Sequence, residues 1–388
     1  MRILIIVRKL TQGGVQQQTV AFAKASIAQG IQTHVLILKS SPDELKLPEG
    51  AIVHRISIRE ILFSSPGGIL NYFSSHLLLP LLCPKSKDYG TGRYLSRWFN
   101  NVFLSGFEKV YGKPDLIFLR AQGAFDLLST YRNPGVCYRY VDGNPHEYRD
   151  RLPFINPVGN YFNRKTYGNA DFICVSSDLA ARISEISTLA GKPCNATVFR
   201  NFVDISEIRE KSESVPDVQI HGDYIVSVGR LVKAKQQQLV IRAMQYLPKE
   251  LKLVIVGDGS TKKQLKQLAA ELNLENRVIF TGNAPNPYPY IKNARALVHT
   301  SEKEGFGLIF LEALILDTPI VAMESIGGMR DILRGNILSK QIVPRDIKQL
   351  AEKILETIQN PYHSTADMYQ HYNAKEALYE LIHEVLKK

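Results

Sequence analysis

Between residues 224 and 323 the chain repeats one pattern five times: a short apolar run rich in Val and Ile, then a glycine or polar residue, then helical spacing. The runs are YIVSVG (224–229), KLVIVG (252–257), RVIFTG (277–282), ALVHTS (296–301) and PIVAM (319–323). Runs of this length suit strands buried on both faces, and helices between them make the connections parallel crossovers. Helices are expected over about 236–246, 261–272, 287–294, 307–316 and 346–359. Such a half can fold only as a doubly wound α/β sheet, with ligands at the C-terminal strand ends. The first half begins the same way. ILIIV (3–7), the loop RKLTQGG, a helix from about Val15 to Gln29 and THVLIL (33–38) read as a βαβ unit. Further strands are expected at DLIFLR (115–120), GVCYRYV (135–141) and DFICVS (171–176). The polar stretch 201–223 reads as a linker with one helical turn.

The strand ends carry the chemistry. SEKEGFGLIFLEA (301–313) places Glu304 before a helix and Glu312 in about its second turn. Ionised carboxylates only accept hydrogen bonds, which suits a ligand rich in hydroxyls. Glycines at 305 and 307 let backbone N–H groups approach, and a helix N-terminus attracts an anion. A phosphate and a sugar side by side would satisfy this stretch; a helix cap with a buried salt bridge fits its spacing equally well. Arg230 and Lys235 leave the end of 224–229 together and suit a diphosphate, although alone they read as a surface pair. The glycines of VGDGS (256–260) suit a close ligand or a tight bend. Five strand ends with glycine or charge on one edge favour a site.

The charge is uneven. Residues 1–200 hold 24 Lys and Arg against 14 Asp and Glu, a net of +10, whereas residues 201–388 hold 24 against 23, a net of +1. A basic half attracts an acidic partner, whether nucleic acid, an anionic membrane surface or a phosphorylated acceptor, or else is a solvated surface without a partner. Arg93, Arg97, Lys109 and Lys113, interleaved with Tyr94, Trp98 and Phe99, are the candidates. The apolar and aromatic stretch 61–112 reads either as amphipathic helices on a membrane or as a helical hairpin packed on its domain. Four cysteines without paired spacing predict neither a disulfide framework nor a zinc site. No run of 18 apolar residues or leader-like start is present, so a cytoplasmic setting is expected, with peripheral attachment to the inner face of the plasma membrane as an extension of it.

Taken in order, VGRLVKAK, LVIVGDG, VIFTGN, SEKEGFGLIFLEA and TPIVA resemble the retaining glycosyltransferases of family 4 (group 1 glycosyl transferases), and TQGGVQQ resembles their N-terminal glycine loop. The resemblance is strong over about 224–330 and weaker over 1–40. It implies the GT-B fold, two Rossmann-like doubly wound α/β domains facing across a cleft. The first, 1–200, would bind the acceptor and receive a C-terminal helix from about 372–388; the second, 201–371, would bind a nucleotide sugar. It further implies that Arg230 and Lys235 hold the donor diphosphate and that Glu304 holds hydroxyls of the donor sugar. Backbone groups at Phe306, Gly307 and Leu308 would contact sugar and phosphate, and Glu312 the ribose. Gly14 would let its loop close over phosphate, Gly282 and Asn283 would lie near the base, and Gly229, ending the strand that presents Arg230, would contact the donor. Many members carry a histidine facing the sugar where this chain has Asp142, and His146 could substitute for it; Asp142 could take a proton from the acceptor or simply start a turn before Gly143. No Asp-x-Asp occurs in the chain, so neither a metal nor another cofactor is expected. The partners implied are a nucleotide sugar and a glycan or glycolipid acceptor of a bacterial surface polysaccharide, and not nucleic acid. The alternatives are an epimerase or phosphorylase of the same fold, or a non-catalytic polyanion binder.

Overall fold

The Ile- and Val-rich runs of the first half become strands because they are buried on both faces. β1 (Arg2–Val7), β2 (Gln32–Ile37), β3 (Ile52–Arg55), β4 (Leu116–Arg120), β5 (Cys137–Val141), β6 (Asp171–Cys174) and β7 (Asn195–Val198) form one sheet in the order β3-β2-β1-β4-β5-β6-β7. Every pairing in it is parallel; Ile3, for example, stands opposite Thr33 on one side and Leu116 on the other. The computed structural model describes residues 1–11, 13–42, 44–78, 81, 87–120, 122–143 and 157–386. It divides into two units, Met1–Asn201 with Ala374–Lys388, and Phe202–Asn373.

In the first unit the helix Gly14–Ala28 joins β1 to β2. Its Phe22 meets Phe118 of β4 edge-on, with ring centroids 5.1 Å apart. The helix Ala374–Leu386 returns to pack against it, with Leu378 and Leu381 fully buried. The segment between β3 and β4 is helical over Ile58–Phe63, Pro66–Phe73, Lys87–Trp98 and Ser105–Tyr111, with π-helical turns at Ser74–Leu78 and Phe99–Leu104. Its two ends behave differently. Phe107 and Tyr111 pack edge-on against His34 of β2, and Phe103 and Phe107 against His54 of β3. Phe63, Leu70, Phe73, Leu77 and Leu78, by contrast, stand exposed.

The structure corrects two expectations. Tyr94, Trp98 and Phe99 do not form an aromatic face around the cations: Phe99 is fully buried, stacked on Phe103, and the Tyr94 hydroxyl is 2.7 Å from Ser65 Oγ. Arg97, Lys109 and Lys113 are exposed; Arg93 belongs to the helix Lys87–Trp98, and its side chain lies outside the description. The stretch 201–223 is not a linker. Asp204 caps the helix Ile205–Ser212 by accepting from Glu207 N, and Ile205 and Ile208 are buried. That helix packs on two others of the second unit, Tyr288–Lys292 and Leu308–Ile315. Among the described residues, no helix is long and apolar enough to cross a membrane.

The second unit contains β8 (Tyr224–Val228), β9 (Lys252–Val256), β10 (Val278–Gly282), β11 (Ala296–His299), β13 (Ile320–Met323) and β15 (Ile342–Val343), all parallel, in the order β10-β9-β8-β11-β13-β15. The short strands β12 (Lys303–Glu304) and β14 (Ile326–Gly327) pair beside it. A parallel sheet sets all its C-terminal strand ends on one edge, which carries the loops containing Gly229, Gly257, Gly282, Ser301 and Glu324. Gly257 is required there by the neighbouring strand's loop. Its φ is +146°, and a Cβ would lie 2.0 Å from the Gly229 carbonyl oxygen. At VGDGS, close backbone packing is thus one reason for the glycine.

Candidate functional site

The loop after β8 and the loop after β11 are tied together. Glu302 N donates to Ala234 O at 2.9 Å, and Thr300 Oγ1 donates to the carbonyls of Lys235 and Gln236. Arg345 braces the second loop from below, donating to the carbonyls of Thr300, Ser301 and Glu324. The result is that Lys235 Nζ meets Glu304 Oε2 at 2.5 Å, with both side chains mostly buried. His299, the last residue of β11, places Nε2 3.2 Å from the same oxygen and sets its ring edge-on to Phe310. Burial raises the Glu304 carboxyl, but His299 and Lys235 outweigh it and hold the group at about 2. Burial lowers the His299 imidazole despite the opposing pull of Glu304. At neutral pH Glu304 is therefore a carboxylate and His299 a neutral imidazole.

Glu304 is also fixed by its backbone. β12 pairs with β14 so that Glu304 stands opposite Gly327. Gly327 has φ +116°, and a Cβ there would lie 1.8 Å from Glu304 O. Past Glu304, Phe306 is buried against Tyr372. Gly307, in a left-handed conformation, begins the helix Leu308–Ile315 without a side-chain cap. That end leaves first-turn N–H groups free of a side-chain partner, which suits an anion. The helix is anchored by Phe310, Leu311 and Leu314, each fully buried and each contributing roughly 1.5–3 kcal/mol. Glu312 is half-buried, and its carboxylate accepts no hydrogen bond among the described residues. Burial alone raises it to about 7. It also helps, after burial, to hold the Tyr288 phenol above its ordinary range.

Arg230 is exposed just past β8, its carbonyl accepting from Gln237 Nε2 at 3.1 Å. Gly229, Gly282, Asn283, Phe306, Gly307, Leu308 and Glu312 belong with Arg230, Lys235 and Glu304 to the second unit. Gly14 and Asp142 belong to the first, as do Arg93, Arg97, Lys109 and Lys113. Gly14 opens the helix Gly14–Ala28. Asp142 follows β5 and is no open carboxylate: its Oδ1 is paired with Arg120 at 2.9 Å, and both side chains are at most 2% exposed. Burial raises Asp142 to about 6 against the pull of Arg120, and its Oδ2 has no hydrogen-bond partner among the described residues. His146 lies outside the described residues.

Three residues of the site were not singled out by sequence reasoning. His299 had a signal, a histidine ending a buried strand five residues before Glu304. Gly327 had one in the Gly-Gly that follows PIVAM. Arg345 had none, because its partners are backbone carbonyls.

Residues 208–376, which hold this cluster, match the model of the family Glycosyl transferases group 1. The match spans somewhat under half of the chain. The N-acetylgalactosamine-N,N'-diacetylbacillosaminyl-diphospho-undecaprenol 4-alpha-N-acetylgalactosaminyltransferase of Campylobacter jejuni is 33% identical over 181 residues, 46% of this chain. The chain spans only about half of that relative, 48%. The lipopolysaccharide core biosynthesis glycosyltransferase LpsD of Rhizobium meliloti is 26% identical over 82% of this chain and 77% of its own length. The structure of Anabaena HepE in complex with UDP and glucose covers 100% of both chains with a TM-score of 0.70 at 16% identity. That likeness shows the fold: two parallel-sheet, Rossmann-like units of the GT-B kind. The Lys235–Glu304–His299 cluster lies inside the matched stretch 208–376, as does the Gly307 helix start.

Proposed function

We propose that the chain is a retaining glycosyltransferase that moves a hexose-type sugar from a nucleoside diphosphate sugar to a glycan or glycolipid acceptor in the synthesis of a cell-surface polysaccharide. The observation that carries this reading is Glu304, ionised and clamped between Lys235 and His299 beside an uncapped helix start in the matched stretch 208–376. The names of the relatives support it: one transfers a sugar to a diphospho-undecaprenol-linked saccharide, one is a transferase of lipopolysaccharide core biosynthesis, and one is a protein seen with UDP and glucose.

A carboxyl held at about 2 is no proton donor at neutral pH. Glu304 therefore accepts hydrogen bonds from sugar hydroxyls and keeps Lys235 in place. The bond between the anomeric carbon and the diphosphate oxygen breaks with its electrons passing to the diphosphate. Arg230, Lys235 and the helix start receive that charge, work done elsewhere by a metal. The acceptor hydroxyl attacks from the face of departure, and its proton passes to the leaving phosphate oxygen. Asp142, buried against Arg120, orders the strand ends of the first unit in this reading and does not act as the base.

The test is a panel of uridine and guanosine diphosphate sugars, read first as thermal stabilisation and then as transfer. Selective binding raises the melting temperature, and the anomeric coupling in the product reports retention. A panel that stabilises nothing and transfers nothing would overturn the proposal. Turnover is expected to survive EDTA; loss that manganese or magnesium restores would show that a metal shares the leaving-group charge with Arg230 and Lys235.

A further inference from the structure

The first unit holds a cavity of about 790 Å³, a size typical of small-molecule sites, where the ends of β1, β2 and β3 meet the helices that follow β3. Three cations line it: Arg8 just past β1, Lys39 just past β2 and Arg59 in the helix Ile58–Phe63. Among the described residues that line it there is no carboxylate. Cations gathered at one concave site without acidic residues raise the local potential for an anion. The opposite wall is apolar and aromatic. Phe63 tilts against Tyr72 at 5.1 Å, Tyr72 stacks on His76 at 4.0 Å, and Leu62 backs them. Helical spacing turns Tyr72 and His76 into the cavity and sends Leu70, Phe73 and Leu77 outward, where they are 72%, 50% and 62% exposed. The cavity thus opens beside an apolar strip on the same helical segment.

We infer that this cavity binds a phosphate-bearing amphiphile, with phosphate at Arg8, Lys39 and Arg59 and the hydrocarbon leaving along Phe63, Leu70, Phe73 and Leu77. Neither half of the surface explains the other: a free anion has no use for the strip, and a neutral lipid has none for the cations. Identifying this amphiphile as the acceptor rests on the proposed function; its binding does not. The site also differs from the surface of Arg93, Arg97, Lys109 and Lys113 to which the charge asymmetry pointed.

Binding of octyl phosphate, inorganic phosphate and octyl glucoside, each below its micelle concentration, can be followed by calorimetry on the full chain. Octyl phosphate is expected to bind most tightly, with inorganic phosphate and octyl glucoside each weaker by about tenfold or more. Lys39→Ala with Arg59→Ala, both exposed positions, should weaken octyl phosphate by about tenfold or more and leave uridine diphosphate binding unchanged. Leu70→Ser with Leu77→Ser should weaken octyl phosphate and spare inorganic phosphate. Octyl glucoside binding as tightly as octyl phosphate, or octyl phosphate indifferent to the cation substitutions, would overturn the inference. Inorganic phosphate binding as tightly as octyl phosphate would overturn it too, making the cavity a site for free phosphate. Failure of both uridine and guanosine diphosphate to bind while octyl phosphate binds as expected would refute the donor reading and leave this one standing.

Discussion

Glu304 and Glu312 stand eight residues apart, and burial pushes both carboxyls up. They part, Glu304 to about 2 and Glu312 to about 7, because only Glu304 has cationic and imidazole company. Glu304→Ala and Lys235→Ala should each raise the transfer barrier by about 2–4 kcal/mol, the loss of one preorganised charge partner. Both variants should keep the wild-type circular dichroism, and near-normal turnover in either would remove that residue from the mechanism. Glu312 behaves differently. Its folded value, about 7, lies above the ordinary 4.5, so its contribution to stability is complete below that value and lost as pH rises through about 7. Glu312→Gln should therefore melt higher than the parent at pH 8, by about 1 kcal/mol or more, and no differently at pH 4. Ribose hydroxyls would bind the ionised form, so the same substitution should weaken nucleotide binding at pH 8. Equal melting at both pH values would show that solvent already reaches the carboxylate.

At the scale of elements, β2 and β3 are stapled by two imidazoles. His34 Nδ1 lies 3.0 Å from His54 Nε2, and the rings stack at 5.3 Å. Burial, then the neighbouring His54, brings His34 down to about 4, and burial lowers His54 as well. Folded values below the ordinary one give stability that is present above about 6.5 and lost as pH falls through about 4. Urea midpoints of the first unit should fall across that window, and His34→Gln should make the fall shallower while lowering the midpoint at pH 7. A parallel decline in parent and variant would assign the acid sensitivity elsewhere. The same strands show what a sequence reveals. β1, β2, β8 and β9 were legible because runs of Ile, Leu and Val announce burial on both faces. β3 (IVHR) and β7 (NATV) sit at the sheet edges, half-buried and partly polar, so the apolar signal was absent. The helix Ile205–Ser212 was masked by its charges, although Ile205 and Ile208 already had the spacing of one buried stripe. Lys235 and Glu304 were legible from their loops, whereas their 2.5 Å contact and the company of His299 depend on which strands become neighbours.

For the whole molecule the chain order matters. The first unit is interrupted by the second and completed by the helix Ala374–Leu386. Leu378 and Leu381 are fully buried, so removing 374–388 should cost the first unit about 3–6 kcal/mol, from roughly 1.5–3 kcal/mol for each leucine. The second unit should keep its own melting transition and its nucleotide affinity, and loss of both transitions together would show that the units fold as one. Its two ends already meet, with Val203 N donating to Tyr372 O at 2.9 Å and Val203 bridging to Asn373. That closure bears on synthesis. A ribosome releases β1 and the helix Gly14–Ala28 first, yet the surface that covers that helix emerges only after residue 373. The middle of the chain can be finished while its beginning still waits. Chains ended at residue 373 and held on the ribosome by an added linker long enough to clear its exit tunnel should therefore show a protease-resistant second unit beside a first unit that is still open to cleavage, the reverse of the usual order from the N-terminus.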